Sequence, residues 1–112
     1  MEVTAGELLE DRTSAKTVSR VMAAMAHPIR MKILCLLIDN EMNVNEILAE
    51  VGSSQSNISQ HLDALKGANL VQVRRSQQHS YYSLTHNETS RIILLVRDLF
   101  CPGHARLLRS RS

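Results

Sequence analysis

Helical patterns of hydrophobic positions occur in five stretches of this chain, and two short alternating patterns lie between the fourth and the fifth. Apolar residues at i, i+3, i+4 and i+7 share one face of a helix, whereas alternation places them on one face of a strand. The second helical stretch is apolar nearly all round, which is typical of a helix at the centre of a core. The pattern predicts helices over residues 14–26, 28–38, 44–51, 55–68 and 87–101, and strands over residues 70–75 and 80–84.

Residues with special backbone preferences mark the ends of these elements. His27 precedes Pro28, which disfavours helix at His27 and suits the first turn of the next helix. Asn43, with Glu46 three positions later, matches a capping box, and Gly52 ends the short helix that follows. The resulting order, α-α-α-α-β-β-α, is mainly helical with a small β-hairpin whose tip is residues 76–79. We therefore expect a winged helix-turn-helix fold.

The fourth helix has one apolar face and one face of amides and hydroxyls. Ile58, Leu62 and Leu65 are spaced i, i+4 and i+7, so they share a side. A solvated polar face is the common explanation for one such helix. Here the amide and hydroxyl chemistry, the preceding glycine turn and the following hairpin favour a DNA major groove, where base edges are read through hydrogen bonds. The polar face carries Ser56, Ser59, Gln60 and Asp63.

The chain of 112 residues is long enough for one domain with a small core. We expect a frayed segment over residues 1–13, a winged-helix DNA-binding domain over 14–101 and a basic tail over 102–112. No apolar run approaches the roughly 20 residues of a membrane span, and the acidic N-terminal segment does not suit a secretory leader. A cytoplasmic location is therefore expected.

Positive charge is concentrated in the second half of the chain. Residues 1–53 hold five basic and eight acidic side chains, whereas residues 54–112 hold eight basic and three acidic ones. Net charge thus changes from −3 to +5 near the start of the fourth helix. Such asymmetry suits a surface that faces phosphates, although charge alone does not distinguish it from random scatter.

Three segments together resemble the ArsR/SmtB family of winged-helix repressors: residues 27–34, the run Ser-Gln-Ser-x-x-Ser-Gln-His-Leu at 54–62, and residues 68–71. The similarity covers about residues 18–101. It implies a homodimer that binds a two-fold operator in double-stranded DNA, with the first and last helices forming the dimer interface. The apolar stripes that fit this role, and that could instead be ordinary core, are Val18, Val21, Met22, Met25, Ile92, Leu95, Val96 and Leu99.

The resemblance also indicates which residues contact DNA. We expect Gln55, Ser56, Ser59 and Gln60 to enter the groove, since an amide can bind adenine through two hydrogen bonds. Asn57 belongs to the same set, or only supports the helix cap. Two interpretations stay open for His61, which either touches phosphate or packs against the domain. From the wing we expect Arg74, Arg75, Gln78 and His79 to lie along the backbone or the minor groove.

Family members differ in the signal that releases them from DNA, and many use metal sites. The Cys-x-Cys pattern that some carry on the third helix is missing, and the last helix offers Asp98 without the paired ligands of another type. Cys101 and His104 alone make no structural zinc site. We assign no metal ligands, and a metal- or metalloid-responsive repressor remains an alternative.

The positions of Cys35 and Cys101 resemble the dithiol branch of the family, which includes the SqrR, BigR and HlyU types. The resemblance implies that reactive sulfur species or oxidants link the two cysteines of one subunit by a disulfide or polysulfide bridge and change DNA affinity. A disulfide needs Cα atoms about 4.4–6.8 Å apart, so the product depends on distance. Taken alone, Cys35 is explained as core packing, and a regulator without a thiol switch also remains possible.

An enzyme is the competing class for a chain with two cysteines. A thiol oxidoreductase would carry a Cys-x-x-Cys motif on a βαβ unit, and none is present. The chain also lacks a glycine-rich phosphate loop. We therefore expect neither enzymatic activity nor a cofactor, and a DNA-binding adaptor without an inducer is the remaining alternative.

Overall fold

Five helices and three short strands follow one another along residues 12–100, the part of the chain that the computed structural model describes. All five predicted helices are present, as are both strands of the predicted hairpin. Cys101 and the predicted basic tail lie outside the described residues, as do residues 1–11 of the predicted N-terminal segment. The elements are α1 (Arg12–Met25), α2 (Pro28–Leu36), β1 (Met42–Asn43), α3 (Val44–Val51), α4 (Gln55–Gly67), β2 (Val71–Ser76), β3 (His79–Leu84) and α5 (Asn87–Phe100).

The boundary between α1 and α2 follows from His27 and Pro28. His27 has extended backbone (φ −150°), and its Nδ1 accepts a hydrogen bond of 3.1 Å from the amide of Ile29. Pro28 then opens α2, where a missing N–H costs nothing. The helix ends at Leu36, two residues earlier than predicted, and Asp39 follows with a positive φ of 59°.

Helix α3 begins with the predicted capping box and ends at the predicted glycine. The Asn43 side chain accepts from the amide of Glu46 at 2.8 Å, and the Glu46 carboxylate accepts from the amide of Asn43 at 3.0 Å. Gly52 takes the left-handed conformation (φ 72°) and donates its N–H to the carbonyl of Leu48. This short turn brings the chain directly into α4.

The sheet has three strands in the order β1-β3-β2, all antiparallel. The sequence predicted only the hairpin. Strand β1 was missed because two residues are too short to show an alternating pattern; Met42 pairs with Tyr82 and Asn43 with Tyr81. The hairpin turn is also tighter than predicted, since Ser76 pairs with His79 and only two residues lie between them.

The core lies where α2, α3 and α4 meet, with further contributions from β2 and α5. The predicted apolar face of α4 is confirmed, because its three members are fully buried. Among the residues whose burial is described, helix α1 contributes Ala24 to the buried apolar set and α5 contributes Ile93. No helix in the described part of the chain has the length and apolar character needed to cross a membrane. The fully buried large side chains are Ile33, Leu34, Leu37, Ile47, Ile58, Leu62, Leu65, Val71 and Ile93.

Candidate DNA-binding surface and cysteine groove

The turn that leads into α4 is held by three side chains. Ser54 is the N-cap, and its hydroxyl accepts from the amide of Asn57 at 3.0 Å. The Asn57 side chain in turn donates to the hydroxyl of Ser53 at 2.8 Å. Asn57 therefore supports the cap, which was one of the two interpretations of this residue.

The polar face of α4 is open to solvent. Gln55, Ser56 and Gln60 are exposed, and Ser59 is half-buried beside them. The buried face of the same helix anchors it to the core, so the polar side chains project from a fixed support. The geometry is that of a recognition helix, with donors and acceptors presented on the outer side.

His61 lies on the protein-facing side of α4 and is only 8% exposed. Its Nδ1 accepts a hydrogen bond of 3.1 Å from Nε of Arg30, and its ring centroid is 4.3 Å from that of His27. Burial, His27 and Arg30 together lower the pKa of His61. Because its ring is buried and its Nδ1 is bonded to Arg30, His61 packs against the domain, which was one of the two interpretations of this residue.

In the wing, which is the hairpin of β2 and β3, one arginine already forms an ion pair and three further residues are exposed to solvent. Arg74 donates from Nη2 to the Glu41 carboxylate at 2.6 Å and from Nε at 3.1 and 3.2 Å, while its guanidinium stacks 4.9 Å from the Tyr81 ring centroid. These hydrogen bonds lower the pKa of Glu41. The pairing was not foreseen, since no local pattern connects residues 33 positions apart. The exposed wing residues are Arg75, Gln78 and His79.

The two predicted dimer stripes meet in the structure. Residues of α1 and α5 line one groove of about 460 Å³, which we call the apolar groove. Five large apolar side chains on these two helices are 43–65% exposed, an unusual arrangement for a chain of this size. Of the eight residues in the two stripes, the exposed ones are Val18, Met22, Ile92, Leu95 and Leu99, and the half-buried ones are Val21, Met25 and Val96.

Cys35 is half-buried and lines a second groove, of about 330 Å³, between α2, α3 and α5. We call it the cysteine groove. Its predicted partner, Cys101, lies outside the described residues. Within residues 12–100 no three potential metal ligands come together. The other residues lining the cysteine groove are Met31, Lys32, Leu36, Glu50, Val51 and Arg97.

A helix-turn-helix with an open amide-and-hydroxyl face, followed by a hairpin, defines a winged-helix DNA-binding protein. The family of bacterial regulatory proteins called the arsR family matches residues 27–73. The transcriptional activator HlyU of Vibrio cholerae is 40% identical over 94 residues, which cover 84% of this chain and 86% of HlyU. The chain therefore belongs to the ArsR family of transcriptional regulators.

Further relatives and solved structures agree with this assignment. The biofilm growth-associated repressor of Xylella fastidiosa is 28% identical over 78% of this chain and 76% of its own length. Reduced HlyU from Vibrio cholerae has a TM-score of 0.73 at 36% identity, covering 80% of this chain and 94% of its own. A homodimeric winged helix-turn-helix DNA-binding domain from Mycobacterium bovis has a TM-score of 0.72 at 32% identity, covering 88% and 89%. The predicted family and fold are thus confirmed.

Proposed function

We propose that the protein is a dimeric transcriptional regulator that binds a two-fold operator with α4 in the major groove. The observation that carries this proposal is the exposed face of Gln55, Ser56 and Gln60 on a helix whose other side is fully buried. Short amides and hydroxyls read base edges, whereas Lys and Arg mainly hold phosphates. Ser59 completes the reading face.

The wing supplies sequence-independent contacts in this proposal. Arg75, Gln78 and His79 are exposed around the hairpin turn, on the element that follows the recognition helix directly. Arg74 contributes to these contacts only when its ion pair with Glu41 is broken. These contacts set the orientation of α4 on the duplex and carry little base information.

Dimerisation through the apolar groove is the second part of the proposal. A monomer would leave Met22, Leu95 and Leu99 each at least 60% exposed, and burial of such side chains yields about 25 cal/mol per Å² of apolar area. A symmetric contact between two copies covers the same patch on both. The homodimeric domain from Mycobacterium bovis supports this arrangement.

The replacement Gln60→Ala tests the reading role. Loss of a side chain that reads a base costs about 1–3 kcal/mol at the cognate site and leaves random-sequence DNA unaffected. The measurement is the dissociation constant for a duplex selected from a random library, compared with a scrambled duplex. Gln72→Ala, an exposed glutamine on β2, is the matched control. Equal weakening on both duplexes would show that Gln60 contacts phosphate and does not read sequence.

The third part of the proposal concerns control: the sulfur state of Cys35 and Cys101 sets operator affinity. Cys35 lies in a groove that is also lined by Arg97, which precedes Cys101 by four residues in the sequence. A bridge would connect α2, in the core, with the chain directly after α5, which supplies Ile92 and Val96 to the apolar groove. A reduced form of HlyU is among the similar structures, which also supports a role for redox state. The inducers would be persulfides or oxidants.

Mass spectrometry of the intact dimer after treatment with glutathione persulfide or hydrogen peroxide tests this control. We expect a bridge between Cys35 and Cys101 within one chain and a changed affinity for the selected duplex. Cys35→Ser and Cys101→Ser should each bind that duplex and no longer respond. If no bridge forms and the affinity for the selected duplex is unchanged, the thiol switch is refuted. Release from that duplex by a metal salt alone would favour the metal-responsive alternative.

A further inference from the structure

One guanidinium connects three helices on the inner side of the recognition helix. Arg30, in the first turn of α2, donates from Nε to Nδ1 of His61 on α4 at 3.1 Å. It also donates from Nη1 to the carbonyl of Ala24, in the last turn of α1, at 3.4 Å. The contacts therefore join α1, α2 and α4 at a single side chain.

The contact with Ala24 has a cause in the sequence. In an unbroken helix the carbonyl of Ala24 would receive the amide of residue 28, but that residue is proline and has no N–H. Arg30 supplies the missing donor. The break that separates α1 from α2 thus creates the acceptor that holds Arg30 beside His61.

The contact with His61 requires a particular protonation state. Nδ1 can accept from Arg30 only while the imidazole is neutral, with its proton on Nε2. The titratable and charged groups acting on His61 are Arg30 from α2 and His27 from the corner between α1 and α2, and both oppose a positive charge there. From α1, the Ala24 carbonyl accepts from the same guanidinium. Neutral His61 is therefore the form that this arrangement stabilises.

We propose that Arg30 is a positioning residue for DNA recognition, which holds α4 at a set orientation to α1 through its simultaneous bonds to His61 and to the Ala24 carbonyl. The inference rests on the proposed function, because it assumes that α4 reads DNA and that α1 joins the two subunits. In a dimer the two recognition helices must match the spacing of two half-sites. A tie between the dimerisation helix and the recognition helix preserves that spacing.

The link itself is tested without DNA by a double-mutant cycle in urea unfolding. The single variants are Arg30→Met and His61→Phe, which has no acceptor at the Nδ1 position, and both are compared with the double variant. Non-additive midpoints are expected, since the two residues share a bond. Additive effects would overturn the link between Arg30 and His61, even if α4 bound DNA as proposed. Conversely, non-additive effects in a protein that selects no duplex would confirm the link and refute the proposed DNA-binding function.

The positioning role is tested with the selected and the scrambled duplex. Arg30→Met and Arg30→Lys should both lose about tenfold in affinity for the selected duplex, the size expected for a lost bond to a charged group. Affinity for the scrambled duplex and its salt dependence should stay unchanged. Lys32→Met, an exposed cation on the same helix, is the matched control. If Arg30 instead bound phosphate, Arg30→Lys would retain binding and Arg30→Met would reduce the salt slope by about 0.9 per contact.

A pH profile supplies a readout that does not depend on any Arg30 variant. The ratio of affinities for the two duplexes should fall in the wild-type protein as the pH drops and His61 gains a proton. His61→Asn keeps an acceptor near the Nδ1 position and does not titrate, so its ratio should stay constant; His61→Gln is the second variant should the first fail to fold. Identical profiles for the wild type and a folded His61 variant would overturn the proposal.

Discussion

Replacement of Glu41 by glutamine is expected to increase the affinity of the protein for any DNA duplex, because it releases a wing arginine from an internal ion pair. Arg74 makes three short contacts with the Glu41 carboxylate, the closest at 2.6 Å, on an exposed surface. The same hydrogen bonds lower the pKa of Glu41, so its carboxylate keeps its charge to a lower pH than an isolated glutamate does. Removing the charge of Glu41 leaves a phosphate as the stronger partner.

The expected magnitude follows from counterion release. Each phosphate neutralised by a cation contributes about 0.9 to the slope of log affinity against log salt concentration. Two wings in a dimer would therefore steepen the slope by about 1.8. Between 50 and 200 mM salt that difference changes the affinity ratio of variant to wild type by roughly tenfold. The gain should be equal on selected and scrambled duplexes, since phosphate contacts carry no base information.

The assay is a fluorescence anisotropy titration of both duplexes at four salt concentrations. Glu50→Gln, which removes an exposed carboxylate from α3 away from the wing, corrects for the general change in net charge. Glu41→Gln combined with Arg74→Met should show no gain. If Glu41→Gln and Glu50→Gln have the same slope, Arg74 does not reach phosphate, and the ion pair serves only to fasten the wing to the segment before β1.

Four further outcomes follow from the described contacts. Leu62→Ala should lower the free energy of unfolding by about 2–5 kcal/mol in urea denaturation, because the side chain is fully buried; a loss below 1 kcal/mol would show that the core relaxes around it. Leu95→Glu should convert the dimer to a monomer in analytical ultracentrifugation, and a persistent dimer would place the interface elsewhere. Gly52→Ala should cost about 1–2 kcal/mol through its positive φ alone, since an added Cβ would have no neighbour within 4 Å. Finally, the free energy of unfolding should decrease as the pH falls below about 6.5, because the unfolded chain takes up a proton at His61 that the folded chain resists; the decrease should shrink in His61→Asn.

Local patterns were sufficient to predict most of the fold. Periodicity placed Ile58, Leu62 and Leu65 on the buried face of α4, and the burial of all three confirms it. Residues with strong backbone preferences gave the cap at Asn43 and the turn at Gly52. Strand β1 was missed because its two residues gain their partners from β3, nearly forty positions later in the chain. Pairings of that kind depend on tertiary packing and leave no periodic signal.

The candidate site, like the fold, could be predicted from the sequence only in part. The exposed polar face of α4 follows from helical spacing, so it was available from sequence, although its DNA contacts remain a prediction. The partners of His61 and Arg74 were not available, since Arg30 and Glu41 are about thirty residues away from them. A single sequence shows that an arginine and a glutamate exist, and only the fold shows that Arg30 contacts the inner side of α4 and that Glu41 pairs with an arginine of the wing.

Helix α2 connects the two proposals. It carries Cys35 toward the cysteine groove, and it carries Arg30 toward α4 and the end of α1. The two residues are five positions apart on a nine-residue helix, about 7.5 Å along its axis, and a helix of that length moves as one body. A bridge that pulled on Cys35 would therefore displace Arg30 as well, and the hydrogen bond from Arg30 to His61, already 3.1 Å long, tolerates little further displacement. In this arrangement the thiol needs no contact with DNA to influence recognition, because the same helix supports the residue that orients α4.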